Sequence, residues 1–187
     1  MRSLVYYIAV SADGFIADPS GDTSAFPQDL ATLRALFAEY PETCPSHVRA
    51  HFGIDGPSRR FDAVIMGMRT HQPALDAGLT SAYPHLDQYV VTHRRDLPED
   101  PAVTIVHDDP VGLVTALKQQ PGRDIWLCGG ADLAAQLVAE IDEIHLKVNP
   151  ILLGSGIPLL RGALPHDLEF VSSRELPGGV LLNTYHC

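Results

Sequence analysis

The stretch Ile125-Trp126-Leu127-Cys128-Gly129-Gly130-Ala131-Asp132 decides the fold of this chain. A short apolar run ends in two glycines, and apolar residues at helical spacing follow at Leu133, Leu137 and Val138. This pattern predicts a strand, a tight turn and a helix. Glycines at such a turn let a ligand approach the backbone closely, and the N–H groups at a helix start favour an anion. Taken alone, the pattern is as typical of a bare strand-to-helix turn.

A second turn of the same kind occurs earlier in the chain. The run 61–66 predicts a strand, and Gly67-Met68-Arg69-Thr70 leads into a short helical segment that reaches Ala74. Two strand–glycine–helix turns in one small protein predict a cradle for a phosphate-bearing cofactor.

Strands and helices alternate through the first 150 residues, which predicts an α/β fold with a mostly parallel sheet covered by helices. The predicted strands are 4–10, 61–66, 88–92, 103–106, 124–127 and 144–148, and the predicted helices are 27–40, 46–52, 110–119 and 131–139. Strands 169–173 and 180–186 predict an antiparallel hairpin around Pro177-Gly178-Gly179, so the sheet should be mixed. His145 and Lys147 alternate with apolar residues, which predicts one solvated face for the strand near residue 146.

The composition limits the possible functions. With 187 residues and 45% hydrophobic content, the chain predicts one globular domain, 1–187. A net charge of −10 argues against a nucleic-acid-binding surface, and no apolar run reaches the roughly 18 residues of a membrane span. Cys44, Cys128 and Cys187 are odd in number and far apart, and no signal-peptide pattern opens the chain. We therefore expect a cytoplasmic protein that binds neither nucleic acid nor membrane.

In their order along the chain, the motifs resemble the dihydrofolate reductase fold. More narrowly, they resemble the reductase domain of bacterial riboflavin biosynthesis and its stand-alone relatives. The matching segments are 7–17 (YIAVSADGFIA), 64–70 (VIMGMRT), 90–92 (VVT), 127–130 (LCGG) and 142–156 (DEIHLKVNPILLGSG). Each segment is weak alone, whereas the ordered set covers nearly the whole chain.

The resemblance implies a three-layer α/β/α fold, NADPH as cofactor, a homodimer, and hydride transfer to a small pterin or aminopyrimidine such as 5-amino-6-(5-phosphoribosylamino)uracil. It also implies roles for single residues. Ala9 and Ile16 would flank the nicotinamide; Gly67, Met68, Arg69 and Thr70 would hold the adenine-side phosphates; Thr92, His93 and Arg94 would meet the adenosine ribose and its 2′-phosphate; and Gly129, Gly130, Ala131, Asp132 and Leu133 would wrap the pyrophosphate.

Two departures from related proteins stand out. Related sequences usually place an arginine for the 2′-phosphate directly after the glycine of the second turn, where this chain has Met68. Arg69, Arg94 or Arg95 could replace it, because a planar guanidinium suits a phosphate. The chain also lacks the H-x-E and C-x-x-C motifs of the zinc deaminase domain that accompanies two-domain riboflavin enzymes. As a separate point, no G-x-G-x-x-G fingerprint occurs, so the doubly wound dinucleotide-binding fold is not expected.

Reduction of a C=N or C=O bond requires a proton as well as a hydride. Asp29 is the leading acid candidate, because it falls in the first turn of the first predicted helix, where folate reductases carry their substrate-binding acid. A carboxylate favoured by the helix dipole is the alternative interpretation. Asp13 is the second candidate, although Asp-Gly is also a natural turn.

Other polar residues favour structural interpretations. His47 and His51 have helical metal-ligand spacing, but no acidic residue or cysteine nearby completes a ligand set, and we predict no metal. Cys128 is interpreted as a small buried hydrophobe and Trp126 as a core residue.

Three functions therefore stay open. The first is an NADPH-dependent reductase of the riboflavin-pathway type. The second, a true dihydrofolate reductase, is disfavoured because the insertion 41–60 changes the region after the first helix. The third is a nucleotide-binding protein without catalysis.

Overall fold

The structure is a computed structural model that describes residues 1–162 and 166–187. Its strands are β1 (Leu4–Ser11), β2 (Phe15–Ala17), β3 (Phe61–Gly67), β4 (Asp87–Val91), β5 (Val103–Val106), β6 (Asp124–Gly129), β7 (Glu143–Asn149), β8 (Ile157–Pro158), β9 (Glu169–Glu175) and β10 (Leu181–His186). Its helices are α1 (Leu30–Glu39), α2 (Ser46–Phe52), α3 (Met68–Asp76), α4 (Pro110–Lys118) and α5 (Ala131–Gln136).

Eight strands form one mixed sheet in the order β5-β4-β3-β6-β1-β7-β10-β9. The first six strands of this order are parallel, and β10 pairs antiparallel with both β7 and β9. β2 and β8 form a separate antiparallel pair beside the main sheet. The predicted fold class, a mostly parallel α/β sheet closed by an antiparallel hairpin, is confirmed.

The two faces of the sheet bury separate apolar cores, which makes the architecture three layers. One core joins Leu4, Tyr6 and Ile65 to side chains of α4 and α5. The other joins Val5, Tyr7 and Trp126 to α1 through Leu36 and Tyr40. Successive residues of β1 alternate between the cores because strand side chains point to opposite faces. The predicted core position of Trp126 is confirmed, and its indole N–H donates to the Tyr7 carbonyl at 2.9 Å.

The helix boundaries follow from their caps. α1 begins at Leu30, so the predicted start at Pro27 is wrong by one turn. The reason is that Asp29 has extended backbone angles and its carboxylate accepts the Thr32 N–H at 2.8 Å, which makes Asp29 the N-cap. The predicted Asp109 cap of α4 is confirmed, because its carboxylate accepts the Gly112 N–H at 2.8 Å.

The predicted solvated face of β7 is wrong. His145 is only 2% exposed, and its ring nitrogens hydrogen-bond the Tyr40 hydroxyl at 2.9 Å and the Glu143 carboxylate at 2.8 Å. The face is covered because the end of α1 packs over it, with the Tyr40 and His145 rings 6.0 Å apart. A polar residue in period-2 alternation therefore need not face water when a partner satisfies it.

Segment 41–60 is firmly anchored to the sheet. The predicted short helix over residues 46–52 is confirmed as α2. The buried Glu42 carboxylate accepts the backbone N–H groups of Arg59, Arg60 and Phe61 at 3.1, 2.8 and 2.7 Å. These three bonds fix the entry into β3, because a buried carboxylate is stable only when its acceptor sites are filled.

Two features of the surface complete the description. β9 is exposed along its whole length, and Phe170 is 61% exposed. Within the residues described, none of the helices combines the length and the apolar character needed to cross a membrane.

Candidate active site

The two glycine turns meet at one edge of the sheet. β3 and β6 are parallel neighbours, so their carboxyl ends lie side by side, and each is followed directly by a helix. A Cβ atom added to Gly67 would lie 3.8 Å from the Gly130 backbone nitrogen and 3.9 Å from the Gly129 oxygen. The predicted pairing of these turns into one cradle therefore has the required geometry.

In the Gly129-Gly130 turn, only one of the two positions requires glycine in the free protein. Gly129 has a φ of +121°, and a Cβ there would lie 3.3 Å from Ile8 Cδ1. Gly130 has ordinary extended angles, φ −97° and ψ −166°. The atom nearest to a Cβ added at Gly130 would be Thr70 Oγ1, at 3.9 Å. The peptide bond between them is cis. Gly129 is therefore required by the fold itself, whereas Gly130 leaves space in the absence of a ligand.

The start of α3 offers backbone donors to this space. Gly67 is the N-cap and has no side chain, so no side chain of the N-cap accepts the first N–H groups of α3. These groups carry the positive end of the helix dipole, and they suit a phosphate.

A cleft of about 460 Å³ opens over both turns. β2 and β8 form one wall of the cleft, through Ile16, Ala17 and Ile157. The cleft is lined by all the predicted cofactor-binding residues except Ala9 and Arg94, namely Ile16, Gly67, Met68, Arg69, Thr70, Thr92, His93, Gly129, Gly130, Ala131, Asp132 and Leu133.

Ala9 and Arg94 lie outside that lining. Ile8 lines the cleft, and Ala9 follows it on the opposite face of β1, as alternation along a strand requires. Arg94 is turned toward Asp96, with Nε 3.1 Å from its carboxylate, and its Nη1 donates to Gln72 at 3.2 Å.

Sequence reasoning missed several lining residues. They are Ile8, Ala17, Gly21, Thr23, Pro73, Val91, Cys128, Gln136 and Ile157. The alternation along β1, β4 and β6 could have indicated Ile8, Val91 and Cys128, because each stands near the carboxyl end of its strand. No local sequence pattern indicated Ile157, because the pairing of β2 with β8 depends on a long-range contact.

The charged side chains of the cleft differ in whether they form an ion pair within the protein. Arg69 is exposed, and no carboxylate of residues 1–162 or 166–187 lies within 4.0 Å of its guanidinium. Asp132 is paired with Arg161 at 3.3 Å. Arg69 is therefore better placed than Arg94 to meet an anion in the cleft.

The two predicted acids are engaged in local structure. Asp29 accepts both the N–H and the hydroxyl of Thr32 at 2.8 Å, and these hydrogen bonds hold its pKa below the usual value. Asp13 accepts the Ser11 hydroxyl at 2.6 Å and the Gly154 N–H at 2.7 Å. The Ser11 hydroxyl is the main cause that lowers the pKa of Asp13. Both groups favour the ionised form, which accepts hydrogen bonds and donates none.

Cys128 and Lys147 form a pair on the α1 face of the sheet. Cys128 packs against the α1-side core, as expected for a small hydrophobe, although it is partly exposed where it lines the cleft, and desolvation raises the pKa of its thiol to about 12. The Lys147 ammonium lies 4.1 Å from the centroid of the Tyr7 ring. Burial lowers the pKa of Lys147 to about 8, and Cys128 opposes that shift.

Two other features carry no comparable chemistry. Among the described ranges, no three His, Cys, Asp or Glu side chains are grouped as a metal would require, and His47 and His51 stand alone on α2. A second groove of about 660 Å³ lies between α1 and segment 52–59, far from both glycine turns, and Arg34 and Arg59 lie on its rim.

Comparison with solved structures identifies the class of fold. Dihydrofolate reductase from Enterococcus faecalis, complexed with NADP(H) and RAB-propyl, superposes with a TM-score of 0.67 at 14% identity, over 98% of this chain and 95% of that one. A diaminohydroxyphosphoribosylaminopyrimidine deaminase/5-amino-6-(5-phosphoribosylamino)uracil reductase from Thermotoga maritima gives a TM-score of 0.65 at 14% identity, over 100% of this chain and 57% of that one. The fold is therefore that of the dihydrofolate reductases.

The family is narrower than the fold. Residues 2–182 match the RibD C-terminal domain, and this chain belongs to that family of reductase domains. A relative in Bacillus subtilis strain 168, the uncharacterized protein YwjB, is 32% identical over 181 residues, which cover 95% of this chain and 90% of YwjB. The resemblance found in the sequence is thereby confirmed.

Proposed function

We propose that the protein is an NADPH-dependent reductase that transfers hydride to a pterin- or aminopyrimidine-like substrate, and that it resembles 5-amino-6-(5-phosphoribosylamino)uracil reductase in this reaction. One observation carries the proposal. The two glycine turns touch, with an added Gly67 Cβ only 3.8 Å from the Gly130 nitrogen, and they floor a single cleft. Membership of the RibD reductase family supports the same chemistry.

The residues of the cleft fit a dinucleotide. Gly130 leaves backbone open beside Thr70, and the first N–H groups of α3 face the same space, so these groups would hold the phosphates. Arg69 and His93 would meet the adenosine end. Ile8 and Ile16 would pack against the nicotinamide end, and they would keep water from it.

NADPH, when bound, supplies the hydride. The protein then has to hold the C=N or C=O bond of the substrate against the nicotinamide end of the cleft and stabilise the negative charge that develops on its nitrogen or oxygen. Apolar residues from β1, β2 and β8 shape this end, through Ile8, Ile16 and Ile157. On the α1 face, Cys128 lines the cleft, and Lys147 lies over the Tyr7 ring.

The test follows the loss of NADPH absorbance with purified protein. The probes are 5-amino-6-(5-phosphoribosylamino)uracil and dihydrofolate, and NADPH binding is measured separately by calorimetry. We expect NADPH to bind and to be oxidised faster with the aminopyrimidine. A Gly130→Val variant, checked for folding by circular dichroism, is the negative control, because its side chain would enter the space beside Thr70 where the phosphates would lie.

Each outcome has a distinct meaning. Faster oxidation with dihydrofolate would move the substrate to the folates and leave the cofactor assignment intact. NADPH binding without oxidation of either probe would favour the nucleotide-binding alternative. Absence of NADPH binding in the wild-type protein would overturn the proposed function.

A further inference from the structure

Lys147 lies on the α1 face of the sheet, close to the glycine-turn cleft but outside its lining. In the register of β7 against β1, Lys147 is paired with Ala9 and His145 with Tyr7. Lys147 also stands opposite Leu182 of β10, whose side chain is buried in the α1-side core. Its side chain therefore lies on the α1 side, level with Ala9 and near the carboxyl end of β1.

Cys128 connects this position to the cleft. Val5 is paired with Trp126 in the register of β1 against β6, so Cys128, two residues later, lies on the same face as Tyr7 and Lys147. Cys128 lines the cleft, and its interaction with Lys147 partly offsets the lowering of the Lys147 pKa by burial. The three side chains lie on one face of the adjacent strands β6, β1 and β7, with Lys147 two residues nearer the carboxyl edge than the partner of Tyr7.

The ammonium has no protein counter-ion. Of the residues that the structure describes, no carboxylate lies within 4.0 Å of Nζ, and Nζ donates no hydrogen bond to the protein. Its close contact is the face of the Tyr7 ring at 4.1 Å. The other lysine, Lys118, is in contrast bound to Asp142 at 2.8 Å and to the Glu140 carbonyl at 2.6 Å.

An unpaired, half-buried ammonium is costly for the fold, because desolvation of a charge is repaid only by a close partner. A ring contact returns part of this energy. A ligand acceptor would return more, since a hydrogen bond to a charged donor is about twice as strong as a neutral one. A carbonyl oxygen or an imine-type nitrogen of a ligand is the kind of neutral acceptor that such an ammonium would bind.

We propose that the ammonium group of Lys147 binds the substrate itself, by donating to a carbonyl oxygen or ring nitrogen of the heterocycle that lies beside Ala9 and Cys128. The inference rests on the proposed function and makes it more specific. It names the feature that the substrate must carry, a hydrogen-bond acceptor on the side of the ring that faces β7. Hydride addition to a C=N bond places negative charge on its nitrogen and on ring acceptors conjugated with it, so the contact with such an acceptor strengthens as the reaction proceeds.

The experiment compares Lys147→Met, which removes the charge, with Lys147→Arg, which keeps it. Arg34→Met is the matched control, because it removes one positive charge from the groove beside α1. NADPH affinity and the kcat and KM for 5-amino-6-(5-phosphoribosylamino)uracil and dihydrofolate are measured for all four proteins. We expect Lys147→Met to keep its NADPH affinity within twofold and to lose at least 100-fold in kcat/KM, with partial rescue by Lys147→Arg.

A Lys147→Met protein that keeps kcat/KM within threefold of wild type would overturn the proposal. An equal loss in Lys147→Met and Arg34→Met would do the same, because it would show a general charge effect.

If the wild-type protein oxidises no NADPH, the proposed function fails separately. In that case, calorimetry of the same two probes on the NADP⁺-loaded protein decides the role of Lys147. At least tenfold weaker binding to Lys147→Met supports the contact, whereas equal binding, or no binding to wild type, overturns it.

Discussion

Gly67 and Gly130 approach each other so closely that a Cβ atom on Gly67 would lie 3.8 Å from the Gly130 backbone nitrogen. The contact joins the ends of two neighbouring parallel strands, β3 and β6. Residues that are 63 positions apart in sequence thus line one space (67 to 130). A ligand that spans both turns would bind them as a unit, which makes the glycines a direct probe of cofactor binding.

Substitution of Gly130 is expected to weaken NADPH binding without harm to the fold. Gly130 has extended backbone angles, and the nearest atom to an added Cβ is 3.9 Å away, so Gly130→Ala fits the free protein. In the complex, the same methyl group would occupy space needed by the pyrophosphate. We expect at least tenfold weaker binding of NADPH in calorimetry, about 1.4 kcal/mol, and a larger loss for Gly130→Val. Unchanged affinity in both folded variants would remove this turn from the cofactor site.

The 2′-phosphate preference is expected to depend on Arg69. Arg69 lines the cleft, whereas Arg94 is turned toward Asp96. Because a charge-assisted bond to phosphate is worth about 1.5–3 kcal/mol, Arg69→Ala should lose roughly 10–100-fold in affinity for NADPH and far less for NADH. Arg94→Ala is the matched control and should change both affinities little. Equal losses for the two cofactors in Arg69→Ala would show that Arg69 does not bind the 2′-phosphate.

Asp29 offers a test that separates a helix cap from a substrate-binding acid. Asparagine caps a helix as well as aspartate does, whereas alanine does not, so Asp29→Ala should lower Tm by about 2–4 °C and Asp29→Asn should not. The catalytic hypothesis requires Asp29→Asn to lose about 100-fold in kcat/KM while NADPH binding stays normal. Turnover that persists in Asp29→Asn would leave Asp29 with the cap alone.

The sequence was sufficient for most of the fold because the strand–glycine–helix signals are local. The bounds of α2 and β5 were predicted to the residue. The start of α4 was indicated by Asp109 at the N-cap and Pro110 at the first helical position. The start of α1 was misplaced because proline at a helix start and aspartate at an N-cap are both good signals, and Asp29 prevails.

The site was harder to predict where it depends on contacts between distant segments. The glycine turns were visible in sequence, but the wall formed by β2 and β8 was not. Lys147 was assigned to a solvated face because its alternation with apolar residues is indistinguishable from that of a surface strand. Only the packing of α1 and the Tyr7 ring against β7 shows that this face is covered.

The protein is proposed to be a homodimer that associates through the β9–β10 hairpin. β9 is the edge strand, and Phe170 and Val171 are 61% and 46% exposed. Such an apolar edge is typical of a surface that is covered by another chain. Light scattering should give twice 20.3 kDa for wild type, and Phe170→Glu should shift the mass to 20.3 kDa. Val111→Asp on α4 is the control at another exposed apolar site, and a wild-type mass of 20.3 kDa at micromolar concentration would refute the dimer.

Lys147 makes a prediction about the dependence of stability on pH. Burial lowers its pKa from 10.5 to about 8 in the folded protein, so between these values the unfolded chain binds more protons than the folded one. The free energy of unfolding contributed by this group must therefore rise with pH through that range, and the cost of its charge is fully present below pH 8. Cys128 and Tyr7 contribute a slope of opposite sign, because desolvation raises the pKa of both groups in the folded protein and their unfolded forms lose protons in this range. The pKa of Glu143 is lowered, chiefly by its bond to His145, so Glu143 stays ionised. The contribution of Lys147 is therefore obtained from the difference between wild type and Lys147→Met, in which these other contributions cancel.

Lys147→Met should accordingly be more stable than wild type by about 1–2 kcal/mol near pH 7, which is the value of the pKa shift less the lost ring contact. The difference should shrink toward pH 9.5 in urea unfolding, because wild type loses its charge there. A residue that weakens the fold at neutral pH and is required for substrate binding would be a case of stability given up for function. If Lys147→Met were instead less stable than wild type at neutral pH, with a constant difference at higher pH, the ammonium would act as a structural clamp on Tyr7.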